Sequence, residues 1–345
     1  MRRRTAAMRG PADRARRLAL HCTAASALAD GAAELDLALA ARKLSEDGFV
    51  RVEVGAAAPI QALETAARKL MGLGEAGGGS YNGGGGVTRD TITGSSFLNG
   101  SAGAPAELAV QFHNEMAYSA SVPKAVAFAM LTQAGEGGIT KLADNIHVTR
   151  MMSEKLKEKL RLLGVQYIRN LSDESERDAP DFFASWQGAF QTQDMDQALD
   201  RGNTEGSTLR RTPGGRRLRH TSWSPVFIEH PEHGELYFSS ILSRHGSWLD
   251  GHRVFGELPL PERPYHCVWG DGAEFSEEEL QELRSIHEKC TIKIRLERGD
   301  LLVMDNLRVA HGRTPYAGDR LIGLLLSDMV RRDYRAPAAF RASAD

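Results

Sequence analysis

The feature that most restricts the fold is the spacing of apolar residues after residue 120. They come as short runs broken by turns: AVAFAMLTQA, SPVFIEHPEHGELYFSS, TIKIRLERGDLLVMDN and RLIGLLLSD. Such runs, bounded by Gly, Pro, Asp and Asn, suit the strands of an antiparallel β fold. HPEHG reads as the hairpin turn between two of them, with His230 and His233 as surface residues. Helices lie between the strands. The clearest is SEEELQELRSIHEKC, where Ser276 is the expected N-cap, Glu279 completes a capping box, and Leu280, Leu283 and Ile286 form one apolar stripe. Nearer the start, LDLALAARKLSEDGFVRVEV reads as an amphipathic helix, an Asp47-Gly48 turn and the alternating strand Val50, Val52, Val54. PIQALETAARKLMGL predicts a second helix. The expected class is mostly β with surrounding helices.

Composition restricts the function classes. A chain of 345 residues can bury a sizeable core, and 41% hydrophobic with 26% charged residues is globular usage. A formal net charge of -2 gives no global attraction to nucleic acid or to an anionic membrane. Cys22, Cys267 and Cys290 are too few and too scattered for a disulfide framework, which favours a reducing, intracellular setting. No run reaches the roughly 18 apolar residues of a membrane-spanning helix. The expected partner is a small molecule, and the sequence leaves the oligomeric state open.

Residues 1–35 differ from the rest. The first thirty carry seven arginines, many alanines and only Asp13 and Asp30 as acids, which fits an organelle transit peptide and a disordered, solvated extension equally well. The expected compartment is therefore the cytoplasm or an organelle. No repeat or linker divides residues 36–345, which read as one domain. The glycine-rich GLGEAGGGSYNGGGGVTRDTITG lacks the Gly-Lys-Ser/Thr ending of a phosphate-binding loop and reads as a flexible loop that could serve as a substrate lid. LRRTPGGRRLRH carries five arginines around a Pro-Gly-Gly turn, but no interleaved aromatics for base stacking. A hairpin with solvated charges explains it more simply than a nucleic-acid site.

The chemistry is carried by four segments. In QFHNEMAYS, His113 and Glu115 stand two apart, and in an extended strand both would face one side. A set of two histidines and one carboxylate can hold Fe(II) on one face, so a second, distant histidine is required. The best candidate is His311, after the apolar strand LLVMD and just before another. Nine residues on, Arg320 opens RLIGLLLSD, where a guanidinium among apolar neighbours needs an anion and could clamp a carboxylate bidentately. Thr140, past a Gly137-Gly138 turn, offers a hydroxyl to the same carboxylate. Arg89 and Asn99 precede His113 and Tyr118 follows Glu115, so all three are candidates to contact substrate.

The ordered set HNEMAYS, EGGITKLAD, GDLLVMDN and HGRTPYAGDR resembles the taurine dioxygenase and clavaminate synthase-like family of Fe(II)/2-oxoglutarate-dependent oxygenases, over roughly residues 45 to 330. The resemblance implies a double-stranded β-helix, a cupin-like jelly roll, forming one catalytic domain over 36–345. It makes His113, Glu115 and His311 the iron ligands and catalytic set, and has Arg320 bind the distal carboxylate of 2-oxoglutarate with Thr140 assisting and Arg313 as a rival clamp. Many relatives have Asp at the position of Glu115; the longer side chain occurs in the clavaminate synthase-like branch. The implied reaction consumes O2 and 2-oxoglutarate, releases succinate and CO2, and oxidises a small-molecule carbon, with hydroxylation as the default outcome. A carboxylate at 115 argues against halogenation. The alternative is a catalytically silent jelly-roll module that keeps the pocket for a small acid.

Overall fold

The computed structural model describes residues 37–74, 90–100, 104–204, 206–332, 335–337 and 340. The 1–35 extension, Arg89 and most of the glycine-rich loop lie outside them. The elements used below are helices α1 (Leu37–Asp47), α2 (Ile60–Leu70), α3 (Asn145–Met151), α4 (Glu154–Leu163) and α5 (Glu277–Lys289), and strands β1 (Phe49–Glu53), β2 (Leu98–Asn99), β3 (Val110–His113), β4 (Ala125–Thr132), β5 (Thr140–Asp144), β6 (Val165–Leu171), β7 (Ser207–Arg211), β8 (Leu218–Ser224), β9 (Tyr265–Trp269), β10 (Thr291–Ile294), β11 (Asp300–Asp305), β12 (Val309–Arg313) and β13 (Leu321–Leu326).

Two antiparallel sheets form the jelly roll. The larger runs β1-β11-β4-β13-β2 and the smaller runs β10-β5-β12-β3, so strands distant in sequence are neighbours in both. Side chains of the two sheets meet in one interior: Val126, Met130, Leu302, Met304 and Leu324 from the larger, Leu142, Ile292, Ile294 and Val309 from the smaller. The outer faces are covered by helices. Leu301, Val303, Ala127 and Ala129 point outward onto Leu63, Ala66, Ala67 and Leu70 of α2. Phe112, Ala143 and Ala310 point outward onto Val148 of α3, Leu156 and Leu160 of α4, and Leu280, Leu283 and Ile286 of α5. The central strands of the larger sheet are buried on both faces, which is why LLVMD and LIGLLL are continuous apolar runs rather than alternating ones.

Between the halves of the roll is an inserted sheet, β9-β6-β8-β7. Its β7–β8 hairpin contains the arginine-rich stretch, where Arg217 pairs with Glu176 at 2.8 Å and Asp181 at 2.6 Å, and Arg211 with Asp196 at 2.8 Å. The capping box at the start of α5 is present as read from the sequence. The HPEHG turn joins a short hairpin, but His230 is buried, not a surface residue: its Nε2 lies 2.9 Å from Asp305 Oδ2 at the end of β11. His233 is exposed as expected. Among the described residues no helix is long and apolar enough to cross a membrane.

Candidate active site

Strand alternation delivers the two histidines. On β3 the outward residue is Phe112, so Gln111 and His113 face the interior; on β12 Ala310 is outward, so Val309 and His311 face the interior. The two strands are adjacent and place His113 opposite His311, with ring centroids 4.3 Å apart. Gly312 allows the approach. A Cβ there would stand 2.6 Å from the Val110 carbonyl oxygen, too close for any other residue without movement of the strand. Phe128 of the facing sheet packs edge-on against His311 at 5.1 Å.

Glu115 reaches the same point by another route. The expectation that His113 and Glu115 share one strand face is corrected: β3 ends at His113, and Glu115 lies in the turn 115–118. That turn includes Met116 at φ 60°, a left-handed conformation that costs a non-glycine residue roughly 1 kcal/mol or more. The Glu115 carboxylate nevertheless comes within 3.8 Å of His311 Nε2. One ligand atom from each of His113, Glu115 and His311 lies within 4.8 Å of the others, a group that fits one metal ion. The tautomer also fits. His113 Nδ1 is 2.9 Å from the Gln111 carbonyl oxygen, which can only accept, so the proton is on Nδ1 and Nε2 presents a lone pair.

A second group, His245, His266 and Glu274, has similar spacing but the opposite tautomers. Backbone N–H groups of Gly246 and Ser247 donate to His266 Nδ1 and His245 Nδ1, so in the neutral rings Nε2 carries the proton. That of His266 points at Glu274, 3.0 Å away. Burial, with His266 and Arg284 nearby, pushes His245 down to about 4, so it stays neutral. A metal would have to displace the Nε2 proton and turn an N–H onto another N–H. The group is a hydrogen-bonded cluster rather than a ligand set.

Next to the triad stand the two arginines. Thr140 is buried at the start of β5 and is the cross-strand partner of Arg313, two residues along β12 from His311, a spacing of roughly 7 Å at about 3.3 Å per residue. The Gly137-Gly138 turn is present, and it needs glycine: at Gly137 φ is 68° and a Cβ would meet the Pro315 carbonyl oxygen at 2.1 Å. Arg320 packs into the space beside Gly138 and over the Tyr316 ring. Its Nε is buried with no hydrogen-bond partner, and burial holds its guanidinium below the usual value. Arg313 differs. Its Nη atoms donate to the carbonyls of Ala104, Pro105, Ala106 and Leu108 in the loop before β3 and to that of the adjacent Thr314, at 2.9–3.4 Å. Burial, then the nearby Arg320, push Arg313 down to about 10.

Of the candidate substrate contacts, Tyr118 is half-buried beside the triad turn, with the Arg244 guanidinium 4.6 Å above its ring and Tyr167 edge-on at 6.2 Å. Asn99 is half-buried on β2, where it is paired with Gly323 at the sheet margin. Arg89 lies outside the described residues. What the sequence reading left unassigned is a buried amide cluster, Asn114, Asn145 and Asn306, directly behind the triad. Its sequence signal was slight: Asn114 sits between two candidate ligands, and Asn306 follows LLVMD.

Comparison with known proteins identifies the family. The sequence profile of the family described as taurine catabolism dioxygenase TauD, TfdA family, matches residues 18–326. The chain is 29% identical to the dapdiamide synthesis protein DdaC of Enterobacter agglomerans over 66% of its length and 68% of that protein. It is 25% identical to a clavaminate synthase-like protein of Arabidopsis thaliana over 69% of its length and 70% of that protein. A solved asparagine oxygenase in complex with Fe(II), 3-hydroxyasparagine and succinate aligns with 85% of this chain and 77% of its own at 13% identity and a TM-score of 0.48, too distant a likeness to bear on substrate. With the profile spanning most of its length, the chain belongs to the TauD/TfdA family of Fe(II)- and 2-oxoglutarate-dependent dioxygenases.

Proposed function

We propose that the protein hydroxylates a small organic molecule, with His113, Glu115 and His311 holding Fe(II) and Arg320, assisted by Thr140, holding the distal carboxylate of 2-oxoglutarate. The observation that carries the reading is the convergence of the three ligand atoms on the inner face, with the His113 proton committed to the Gln111 carbonyl. Two imidazoles and one carboxylate would suit a divalent first-row metal. Bound there, Fe(II) supplies the activation of O2 that couples decarboxylation of 2-oxoglutarate to succinate with oxidation of a substrate C–H bond.

The remaining work belongs to the chain. The donor set carries one negative charge against the two positive charges of the metal, so the site favours an anionic co-substrate. The unpartnered Nε of Arg320 supports it, rather than Arg313, as the carboxylate clamp, because both Nη groups of Arg313 already donate to backbone carbonyls. Phe128 and the sheet interior keep bulk water from the His311 side.

The test is succinate formation from 2-oxoglutarate by the purified protein with Fe(II), across a panel of small carboxylic and amino acids, beside a metal titration of His113→Ala. Substrate-stimulated succinate and a variant that has lost iron are expected. Unaltered iron affinity in His113→Ala would overturn the ligand assignment. Co-substrate binding with no turnover under any member of the panel would favour the silent binding module.

A further inference from the structure

Of the three proposed ligands, Glu115 is the one that no strand holds. Its place is set by a side-chain amide. Asn306 Oδ1 accepts from the Glu115 N–H at 2.7 Å, and Asn306 Nδ2 donates to the Glu115 carbonyl at 3.1 Å and to the Pro123 carbonyl at 2.9 Å. The amide thus pairs with both polar groups of the Glu115 main chain, as a neighbouring strand would.

Asn306 is itself anchored. Its N–H donates to the Lys124 carbonyl at 2.8 Å, and its carbonyl accepts from Asn114 Nδ2 at 2.8 Å. Asn114 Oδ1 accepts from Asn145 Nδ2 at 3.1 Å and from the Ser239 N–H at 3.2 Å. All three asparagines are shut off from solvent, Asn114 and Asn145 at 0% exposure and Asn306 at 1%. In a dry site such bonds are directional and costly to leave unmade, so the cluster fixes a backbone rather than merely tolerating one. It also holds the turn against the left-handed Met116, which has no intrinsic preference for that conformation.

We infer that Asn306 is a positioning residue for the metal, acting through the Glu115 main chain to set where the carboxylate stands relative to His113 and His311. The inference rests on the proposed assignment of Glu115 as a ligand. Asn306→Asp keeps the acceptor for the Glu115 N–H but replaces the Nδ2 donor with an oxygen facing two carbonyls. The turn must then shift, and the carboxylate moves with it.

The experiment is a double-mutant cycle read by Mn(II) titration calorimetry, with unfolding by urea measured alongside. N306D is expected to weaken Mn(II) binding at least tenfold in the wild-type background and less than twofold in an E115A background, because the ligand it positions is already gone. An equal loss in both backgrounds, or no loss in either, overturns the inference and leaves the iron site standing. An E115A protein that binds Mn(II) as tightly as wild type overturns the ligand assignment, and this inference with it. If N306D does not fold, N306S, which leaves room for a water in place of the amide, is run through the same cycle with the same expected coupling.

Discussion

Arg320 gives the sharpest test because its two expected effects have opposite signs. Without 2-oxoglutarate its Nε is a buried donor with no partner, a defect that costs about 1–3 kcal/mol. Arg320→Met keeps the length of the side chain and removes that defect, so the variant alone should be as stable as wild type or more stable in urea. Co-substrate binding should fall. Taking away one partner of a desolvated charge pair costs about 2–5 kcal/mol, which is roughly 30- to 5,000-fold in the dissociation constant for 2-oxoglutarate. Arg313→Met should do the reverse, because five hydrogen bonds to carbonyls are lost. It should destabilise the protein by at least about 2 kcal/mol with a smaller effect on co-substrate affinity. Calorimetry of 2-oxoglutarate binding to the Mn(II)-loaded protein without O2, with urea unfolding of each variant, measures both quantities. An Arg320→Met protein that unfolds more readily yet binds 2-oxoglutarate normally would refute the reasoning.

Other perturbations follow from the same geometry. Gly312→Ala forces a Cβ to within 2.6 Å of the Val110 carbonyl oxygen and spreads β3 from β12; it should cost about 1–3 kcal/mol in urea unfolding and weaken metal binding, because His113 and His311 sit on the strands that separate. Burial pushes His287 down to about 4, so the folded state resists protonation that the unfolded chain accepts near 6.5. Stability from this residue is complete above about pH 6.5 and is lost as pH falls towards 4, by about 2 kcal/mol at pH 5; unfolding at pH 7 and pH 5 should show a shallower acid loss in His287→Gln than in wild type. The buried Asp144–Arg308 pair, 2.9 Å apart, should be costly to break: burial alone would raise the Asp144 carboxyl, but Arg308 outweighs it and holds it below the usual value. Asp144→Asn leaves Arg308 buried without its counter-ion and should lose about 3–5 kcal/mol in urea unfolding.

Much of the fold was legible because it follows from local rules. Period-two and continuous apolar runs gave β4, β10, β11 and β13, while β12, which carries His311, was not read as a strand; the capping box at Ser276 gave α5, and the hairpins announced themselves by Pro, Gly and Asn. The candidate ligands were legible in the ordered motifs. Their convergence was not, because β3 and β12 are almost two hundred residues apart and become neighbours only when the sheets form. The route by which Glu115 arrives was misread for a similar reason. Two residues on one strand face is a local expectation, and the turn that replaces it is imposed by Asn306 across the site.

The sequence by itself determined which side chains could bind a metal and an acid, since residue type and strand phase are properties of the chain. Only the tertiary structure decided which of them stand close enough to do so together. Tautomer, burial and spare donors depend on neighbours: the Gln111 carbonyl puts the His113 proton on Nδ1, while the Gly246 and Ser247 amides put those of His266 and His245 on Nε2. The carbonyls of 104–108 occupy the Nη groups of Arg313, and the Nε of Arg320 has no such partner, which is what supports the proposal that Arg320 holds an anion. A hydrogen bond is chosen by what lies within about 3 Å, and distances of that kind are fixed by packing rather than by position along the chain.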